Sequence, residues 1–425
     1  MTADGLRLAP FRGLRYAPSR VSSLAAVTSP PYDVVVRPDG LHQLETADPY
    51  NIVRLILPHG PHGSASAHRT QAARTLRSWR AAGVLRRDTQ PALYVYEQRT
   101  PDALQRGLVG ALRLPRRPGV VLPHEEVDEA VVAERAALME AIEANPEPLL
   151  LSYGGGSLDP DGTPGAAEVV EQAVRTPPLL DTTSEDGTTH RLWALTDPAR
   201  LATVHSDLAR RTALIADGHH RWATYLRLRE AHGGDARSPW EYGLVLLVDT
   251  DRYPLQVRAI HRVLRHLPLR RALALAAPHA QVREVRAPLP TALRELRAAP
   301  QNAFLLTEDG ETFHLLHSVA PELLAQTVRS DRPHQWRTLD ATVLHATLVH
   351  ALWRVPDAPG EVDYLHHASA AVAKAAAWGG TAVLMRPVAE STVRALARRG
   401  VTMPRKSTSF GPKPATGLVL RTLDA

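Results

Sequence analysis

The feature that most constrains this sequence is the stretch from Leu214 to Trp222, which reads LIADGHHRW. Residues 212–215 predict a short buried strand, and apolar positions at helical spacing between 222 and 231 predict a helix. Gly218 permits the tight turn between the two elements. The first N–H groups of such a helix face outward and favour an anion. The stretch therefore predicts a polar site at a strand-to-helix turn.

The side chains of this turn suit phosphate chemistry. Arg221 offers a planar fork to phosphate, and His219 and His220 can donate to phosphate oxygens or move protons near neutral pH. Asp217 is able to hold a metal ion or accept a proton. The alternative is that Asp217 caps the helix beside a surface histidine pair. Because five charged, titratable or turn-forming residues follow an apolar strand in succession, we favour a site.

Composition limits the class of protein. A chain of 425 residues is long for one core, so we expect two or three packed lobes. No run of eighteen apolar residues occurs, and the first residues lack a signal-peptide pattern, so we expect a cytoplasmic protein without a membrane partner. The absence of cysteine excludes disulfides, thiol nucleophiles and cysteine-ligated metal.

The excess of basic residues does not predict a nucleic-acid partner. The net charge of +6 is spread along the chain, and no block of five basic residues occurs. Among the 50 basic residues, only Lys374, Lys406 and Lys413 are lysines. Two of the three lie close together near the C-terminus, which makes that segment informative.

Three other places carry candidate substrate-binding or catalytic residues. Tyr32 and Asp33 end a proline-rich loop, although a purely structural turn explains the prolines equally well. Arg54 lies on a strand predicted from Asn51 to Leu57. His124 and Glu125 lie between a predicted strand and a helix start, where Glu125 has the alternative role of a carboxylate favoured by the helix dipole.

The C-terminal segment from 403 to 419 is a candidate phosphate-binding loop. It contains Lys406, Ser407, Thr408 and Lys413 among prolines and glycines, and so offers two ammonium charges and several hydroxyl donors to a polyanion. A flexible basic tail is the alternative, which the apolar strand predicted at 418–420 argues against. Contact between this loop and Asp217 requires the last strand to pack beside the central one.

The order of elements predicts three regions. Residues 1–265 carry the main motifs, residues 266–337 form an inserted or packing lobe, and residues 338–425 form a C-terminal α/β region whose Lys-Ser-Thr loop closes on the core.

Over essentially its whole length the chain resembles the bacterial and archaeal family known as domain of unknown function 1015. The shared motifs are Pro30-Pro31-Tyr32-Asp33-Val34, Tyr94-Val95-Tyr96-Glu97-Gln98, His124-Glu125, Asp217 to Arg221, His261-Arg262 and Met403 to Val419. The chain departs from the family pattern at Glu134, Trp222 and Ser409, where Asp, Tyr and Tyr are usual.

The Asp-Gly-His-His-Arg motif is also similar to that of free serine kinases of the ParB/sulfiredoxin-like superfamily. The resemblance implies an α+β fold with a ParB/sulfiredoxin-like mixed-sheet core and additional α/β lobes. It further implies that residues 217–221 bind ATP or ADP with Mg²⁺ at Asp217, and that a glutamate, here Glu125, acts as base.

We therefore expect a nucleotide-dependent kinase that phosphorylates a small, serine-like hydroxyl compound. One alternative is a ParB-like nucleotide-binding regulator, which would need a helix-turn-helix segment and a basic stripe that the sequence lacks. Sulfiredoxin chemistry would need a cysteine. A metabolite-binding protein without turnover is a further alternative, and the sequence does not identify the acceptor, the donor nucleotide or the oligomeric state.

Overall fold

The computed structural model describes residues 5–31, 38–58, 64–154, 165–356, 358 and 360–424. The chain divides into two compact units. The core unit comprises residues 1–123, 127–255 and 412–425, and the second unit comprises residues 124–126 and 256–411.

Most strands belong to one large sheet in each unit. The strands are β1 (Leu8–Ala9), β2 (Leu14–Tyr16), β3 (Leu85–Arg87), β4 (Leu93–Arg99), β5 (Leu104–Arg113), β6 (Val121–Leu122), β7 (Ala144–Asn145), β8 (Leu149–Tyr153), β9 (Leu180–Thr183), β10 (Thr189–Leu195), β11 (Ala213–Asp217), β12 (Tyr242–Asp249), β13 (Gln256–Arg258), β14 (His261–Leu264), β15 (Gln281–Arg286), β16 (Phe304–Thr307), β17 (Thr312–His317), β18 (Val362–Leu365), β19 (Thr381–Leu384), β20 (Ser409–Gly411) and β21 (Arg421–Thr422).

Helices connect most of these strands. They are α1 (Leu24–Val27), α2 (Pro38–Ala47), α3 (Val53–Ile56), α4 (Ala65–Ala81), α5 (Glu129–Ile142), α6 (Ala166–Ala173), α7 (Pro198–Leu208), α8 (His219–His232), α9 (Leu269–Ala276), α10 (Leu289–Ala298), α11 (Pro321–Thr327), α12 (His334–Arg337), α13 (Asp340–Val343), α14 (Ala368–Trp378) and α15 (Glu390–Arg398). A π-helix, Leu344–Leu352, follows α13, and two short 3₁₀ turns lie at Pro18–Arg20 and Pro239–Glu241. Within the described ranges, no helix has the length and apolar character that a membrane crossing requires.

The core unit is built on a mixed sheet with the order β6-β11-β8-β12-β5-β4-β10-β9, and β1 pairs with β5. The pairs β6–β11 and β8–β12 are parallel, whereas β8–β11 and β5–β12 are antiparallel. The residues of β8 and nearly all of β11 and β12 are buried on both faces. Such unbroken apolar runs are typical of central strands covered on both sides. The mixed α/β architecture predicted from the sequence is confirmed.

Helix α8 is held on this sheet by its apolar face. Trp222, Tyr225 and Leu228 follow one another at helical spacing and pack into the same hydrophobic cluster as Ile215 of β11 and Val245 of β12. On another part of its surface, the Thr224 hydroxyl donates to the carbonyl oxygen of Val132 in α5, at 3.4 Å. The start of α8 is therefore fixed at the end of β11.

The second unit has its own six-stranded sheet, in the order β15-β17-β16-β19-β14-β18. Leu306 and Val383 belong to one hydrophobic cluster, and their chain neighbours Leu305 and Leu384 belong to another. Because successive side chains of a strand face opposite sides, both faces of this sheet are covered. The strands of the predicted lobe 266–337, β15, β16 and β17, share this sheet with β14 and β19.

One predicted strand is a helix. Residues 51–57, which carry Arg54, contain α3, and the backbone N–H of Leu57 donates to the carbonyl oxygen of Val53 at 2.9 Å. The side-chain oxygen of Asn51 accepts from the Val53 N–H at 3.0 Å, which starts the helical turn. This local cap outweighs the β propensity of the isoleucines and valine around it.

Candidate functional site

The turn between β11 and α8 is shaped by a β-bulge and a glycine. The pairing of β11 with β8 shifts register between Ile215 and Asp217. Such a bulge changes the direction of the side chains that follow it. Gly218 has a φ of 100°, a conformation that favours glycine. Gly218 is the N-cap residue of α8 and has no side chain that could accept from the N–H groups of the helix. The turn places the positive end of the α8 dipole beside Asp217, an arrangement that suits an anionic ligand.

Asp217 lies between two cations at this turn. Its Oδ2 accepts from Nη2 of Arg221 at 2.6 Å, and its Oδ1 is 2.6 Å from Nζ of Lys413. The exposed fractions of the three side chains are 13% for Asp217, 3% for Arg221 and 14% for Lys413. Each oxygen of the Asp217 carboxylate therefore has a cationic partner, beside the positive end of α8.

The orientation of Arg221 differs from what the sequence pattern indicated. We predicted that its guanidinium meets a phosphate, but the buried side chain is directed at Asp217 and at the carbonyl oxygen of Pro148, which Nη1 contacts at 2.8 Å. Arg221 lies in the first turn of α8 and Asp217 at the end of β11, so the carboxylate and the Pro148 carbonyl together satisfy the buried guanidinium. Its phosphate-binding role stays a prediction, and its observed contacts orient Asp217.

The two histidines have different surroundings. His219 is buried at the first position of α8. The Nε2 of His220 accepts a hydrogen bond from the backbone N–H of Asp128 at 3.1 Å, and Asp128 is the N-cap residue of α5. Because that nitrogen is an acceptor, His220 is neutral in this arrangement. The contact ties the beginning of α5 to the beginning of α8.

Gly218→Ala is expected to lower the free energy of unfolding by about 1–3 kcal/mol, the usual cost of a strained backbone conformation. An added Cβ would come within 2.5 Å of Leu149 Cδ2, in addition to adopting a left-handed φ. Urea denaturation measures the change, and Gly119→Ala is a control, since Gly119 also has a positive φ but a Cβ there meets nothing within 4 Å. A loss no larger than that of the control would contradict the close packing.

The surroundings of Asp217 fit a metal ion poorly. Both carboxylate oxygens already contact cationic nitrogens, which a divalent cation would have to displace. Across the residues that the structure describes, no group of three or more histidine, aspartate or glutamate side chains is arranged to hold a metal ion. The prediction of Mg²⁺ at Asp217 is therefore not favoured by these contacts.

A second set of polar contacts near Asp217 was missed by the sequence reasoning. Glu147 is buried, its Oε1 accepts from the Thr416 hydroxyl at 3.4 Å, and its Oε2 lies 3.9 Å from Nη1 of Arg135. Thr416 thus contacts Glu147, the residue before Pro148, and Lys413 contacts Asp217. Local patterns do not point to Glu147, because Thr416 is far from it along the chain.

The segment carrying Lys413 reaches Asp217 by a different route from the one predicted. We expected the last strand to pack beside the central one, whereas β21 pairs with β7. Ser29 and Thr416 form an antiparallel bridge, so the segment before the last strand is anchored by β-type hydrogen bonds of its own.

In the second unit, His124, Glu125 and Thr408 form a hydrogen-bonded chain. His124 Nε2 lies 2.9 Å from Thr408 Oγ1, and that hydroxyl donates to Glu125 Oε1 at 3.4 Å. Because the hydroxyl proton points to the carboxylate, His124 is the donor to Thr408. The ring of Phe410 packs edge-on against His124, with centroids 5.5 Å apart.

The predicted Lys-Ser-Thr loop is held from within the second unit by Arg262. This fully buried arginine donates from Nη2 to the carbonyl oxygen of Lys406 at 2.9 Å and from Nε to Nε2 of His345 at 3.2 Å. Burial lowers the pKa of Arg262 to about 10. Lys406 has an exposed side chain and a φ of 57°, and Ser407 Oγ donates to the carbonyl oxygen of Pro404 at 2.5 Å.

Among the described residues, the observed contacts of Arg54 lead to Glu45 and not to the turn. Arg54 donates to the carbonyl oxygen of Glu45 at 2.7 Å and lies 3.7 Å from its carboxylate. Tyr32 and Asp33 lie outside the described residues. The core unit therefore brings together Asp217, Arg221 and Lys413, and the second unit brings together Glu125, His124 and Thr408.

The fold and this turn define a mixed α/β protein in which α8 follows a left-handed glycine, next to an aspartate paired with an arginine and a lysine. The chain belongs to the family described as protein of unknown function DUF1015, whose model matches residues 8–342. Among curated proteins, none matches the sequence significantly.

Some solved structures are distantly similar. A variant of a free serine kinase in complex with ADP is 14% identical, with a TM-score of 0.36, and the match covers 70% of this chain and 89% of that chain. A variant in complex with AMP is 15% identical, with a TM-score of 0.36 and coverage of 78% and 94%. A conserved hypothetical protein from Pyrococcus furiosus is 16% identical, with a TM-score of 0.33 and coverage of 71% and 92%. The residues of this chain, and not these similarities, carry the function proposed below.

Proposed function

We propose that this protein is a nucleotide-dependent phosphotransferase that acts on a small hydroxyl compound, with a serine-like acceptor and ATP or ADP as donor. The single observation that carries the proposal is the Asp217 carboxylate held between Arg221 and Lys413 at the N-terminus of α8. Phosphoryl transfer requires chiefly positioning and neutralisation of charge, which such a group supplies.

In this proposal the nucleotide phosphates bind to the first N–H groups of α8 and to the Lys413 ammonium. Asp217 fixes the direction of Lys413, and Arg221 fixes Asp217 through the second carboxylate oxygen. Lysine is suited to the task as a compact point charge with three donors. His220, neutral in the observed contact with Asp128, keeps the helix start in place.

The acceptor hydroxyl attacks the terminal phosphorus atom, and its proton passes to a base. We assign that base to Glu125, since a half-buried carboxylate that accepts from the Thr408 hydroxyl is already in a proton-accepting arrangement. The nucleotide leaves with the bridging oxygen, and the products are a phosphomonoester and the shortened nucleotide. The sequence resemblance to free serine kinases supports a serine-like acceptor.

The direct test is incubation of the purified protein with ATP, ADP or CTP and a panel of small hydroxyl compounds, with products identified by mass. Formation of a phosphorylated acceptor together with the shortened nucleotide is the expected result. Nucleotide binding without any product would support the alternative of a regulator or metabolite-binding protein. Absence of nucleotide binding would refute the proposal.

Lys413→Ala is expected to weaken nucleotide binding by about 1.5–3 kcal/mol, the range for a charge-assisted hydrogen bond. Titration calorimetry with each nucleotide measures the loss. The matched control is Lys374→Ala, because Lys374 pairs with Asp363 at 3.4 Å in the second unit and has no role in the proposal. Equal affinity of the two variants would remove Lys413 from the phosphate site.

A further inference from the structure

Two buried side chains hold the short segment that carries Lys413. The Gln105 side-chain amide donates from Nε2 to the carbonyl oxygen of Pro412 at 3.0 Å. The backbone N–H of Ala415 donates to the Tyr96 hydroxyl at 3.3 Å. Lys413 lies between these two attachment points, and both Gln105 and Tyr96 are only 2% exposed. The backbone is therefore held by a hydrogen bond on either side of Lys413.

The sheet places the two gripping residues on one face. Gln105 of β5 is the register partner of Gln98 in β4, and Tyr96 lies two residues before Gln98. Since every second side chain of a strand faces the same way, Tyr96, Gln98 and Gln105 project from the same side of neighbouring strands. Both strands lie inside the large sheet, with a hydrogen-bonded strand on either side, so they give the segment an extensively bonded base.

Tyr96 is itself fixed by a histidine. Its hydroxyl lies 2.8 Å from Nδ1 of His190, and the two rings are nearly parallel, with centroids 6.1 Å apart. Burial lowers the pKa of His190 to about 4, so the ring is neutral near pH 7 and accepts the tyrosine proton. The hydroxyl oxygen then accepts from Ala415, so that Tyr96 is used both as donor and as acceptor.

The backbone between these two hydrogen bonds has little conformational freedom. Pro412 and Pro414 flank Lys413, and each proline ring fixes its own φ. Fixing the Pro412 carbonyl and the Ala415 N–H therefore determines where the Lys413 side chain begins, and its Nζ then lies 2.6 Å from Asp217.

We propose that Tyr96 and Gln105 are positioning residues that fix Lys413 against Asp217 and so set the affinity of the site for anionic ligands. The effect on anion affinity rests on the proposed function, whereas the placement of Lys413 does not. Neither residue touches Lys413 Nζ, so their effect passes through the backbone of residues 412–415.

The placement is tested without any ligand by amine labelling. The chain has three lysines, so peptide mapping after treatment with a small amine-reactive reagent gives a separate rate for each. Tyr96→Phe is expected to raise the labelling rate of Lys413 by roughly threefold to tenfold, the equilibrium effect of one net hydrogen bond. Gln105→Leu is expected to act in the same direction, and the rates of Lys374 and Lys406 should stay unchanged as internal references.

Tyr94→Phe is the matched control. Tyr94 lies two residues earlier in β4, and its hydroxyl donates to Asp88 at 2.6 Å and accepts from the Gly13 N–H at 2.8 Å. An unchanged Lys413 rate in both test variants, or an equal rise in Tyr94→Phe, would overturn the inference. If Tyr96→Phe does not fold, Gln105→Leu and the milder Gln105→Met provide the same comparison.

Nucleotide affinity separates the inference from the proposed function. In a double-mutant cycle, Tyr96→Phe should weaken ATP or ADP binding threefold to tenfold in the parent protein but not in Lys413→Ala, because the two act through one group. Additive losses would contradict the inference. If the parent protein binds no nucleotide, the proposed function fails, and the labelling result still decides whether Tyr96 and Gln105 hold Lys413.

Discussion

Glu125→Gln is expected to lower the turnover number by about 10²–10⁴-fold, the usual contribution of a general base. Nucleotide affinity should change little, because a base acts mainly in the transition state and a neutral amide of the same shape preserves ground-state packing. The amide oxygen can still accept a hydrogen bond from the Thr408 hydroxyl, as the Glu125 carboxylate does at 3.4 Å in the parent protein. Steady-state phosphorylation rates together with nucleotide dissociation constants measure the two effects separately.

The adjacent glutamate provides the control for this substitution. Glu126 is exposed and accepts only a long hydrogen bond from Thr402, at 3.4 Å, among its described contacts. Glu126→Gln should therefore leave turnover within about twofold of the parent, as expected for a surface change worth less than about 0.5 kcal/mol. Equal turnover of the Glu125 and Glu126 variants would show that Glu125 serves the helix start or the local hydrogen-bonded chain and not catalysis.

Asp217→Ala is expected to lower the free energy of unfolding by about 3 kcal/mol, the lower end of the range for removing one partner of a buried ion pair. The physical reason is that Arg221, with a side chain only 3% exposed, loses the carboxylate 2.6 Å from its Nη2. Lys413 loses the same carboxylate, so two positive charges are left together. Urea denaturation at pH 7 measures the change.

A surface pair calibrates this result. Arg191 and Asp181 are 2.8 Å apart, but their side chains are 38% and 47% exposed, so Asp181→Ala should cost about 0–1 kcal/mol. The double variant Asp217→Leu with Arg221→Leu should recover part of the loss, because the most deeply buried charge, the Arg221 guanidinium, is removed together with its carboxylate, and Lys413 alone loses the Asp217 contact. A loss in Asp217→Ala as small as in Asp181→Ala would contradict the buried character of the group.

The strand-to-helix turn was predictable because its signals are local. An apolar run, a glycine and a helical periodicity all lie within twenty residues, and they correspond to β11, Gly218 and α8. The pairing of β4 with β5 was predictable for the same reason, since the two strands are close in sequence and each contains a short apolar run. Such agreement between neighbouring residues is what fixes short-range structure.

What the sequence did not reveal depends on distant contacts. The direction of Arg221 is set by Pro148 and Asp217 together, and the acceptor role of His220 is set by the N–H of Asp128. The choice of α3 over a strand depends partly on Asn51, whose side-chain amide also donates to the carbonyl oxygen of Ala26 at 2.8 Å. Periodicity carries no information about such partners, because it describes only which face of an element is buried.

The pairing of β13 with β20 has a consequence for the assembly of the site. These strands are the first and last of the long segment 256–411, and Gln256 is the register partner of Gly411. Once this segment has folded, its two ends are adjacent, so the chain between Asp217 and Lys413 behaves as a loop roughly fivefold shorter. Loop-closure entropy then falls by about 1.4 kcal/mol. We expect folding of the second unit to bring the two ends of this segment together before the Asp217–Lys413 contact forms. That contact should therefore form late in folding, and more slowly when β13 or β20 is disrupted.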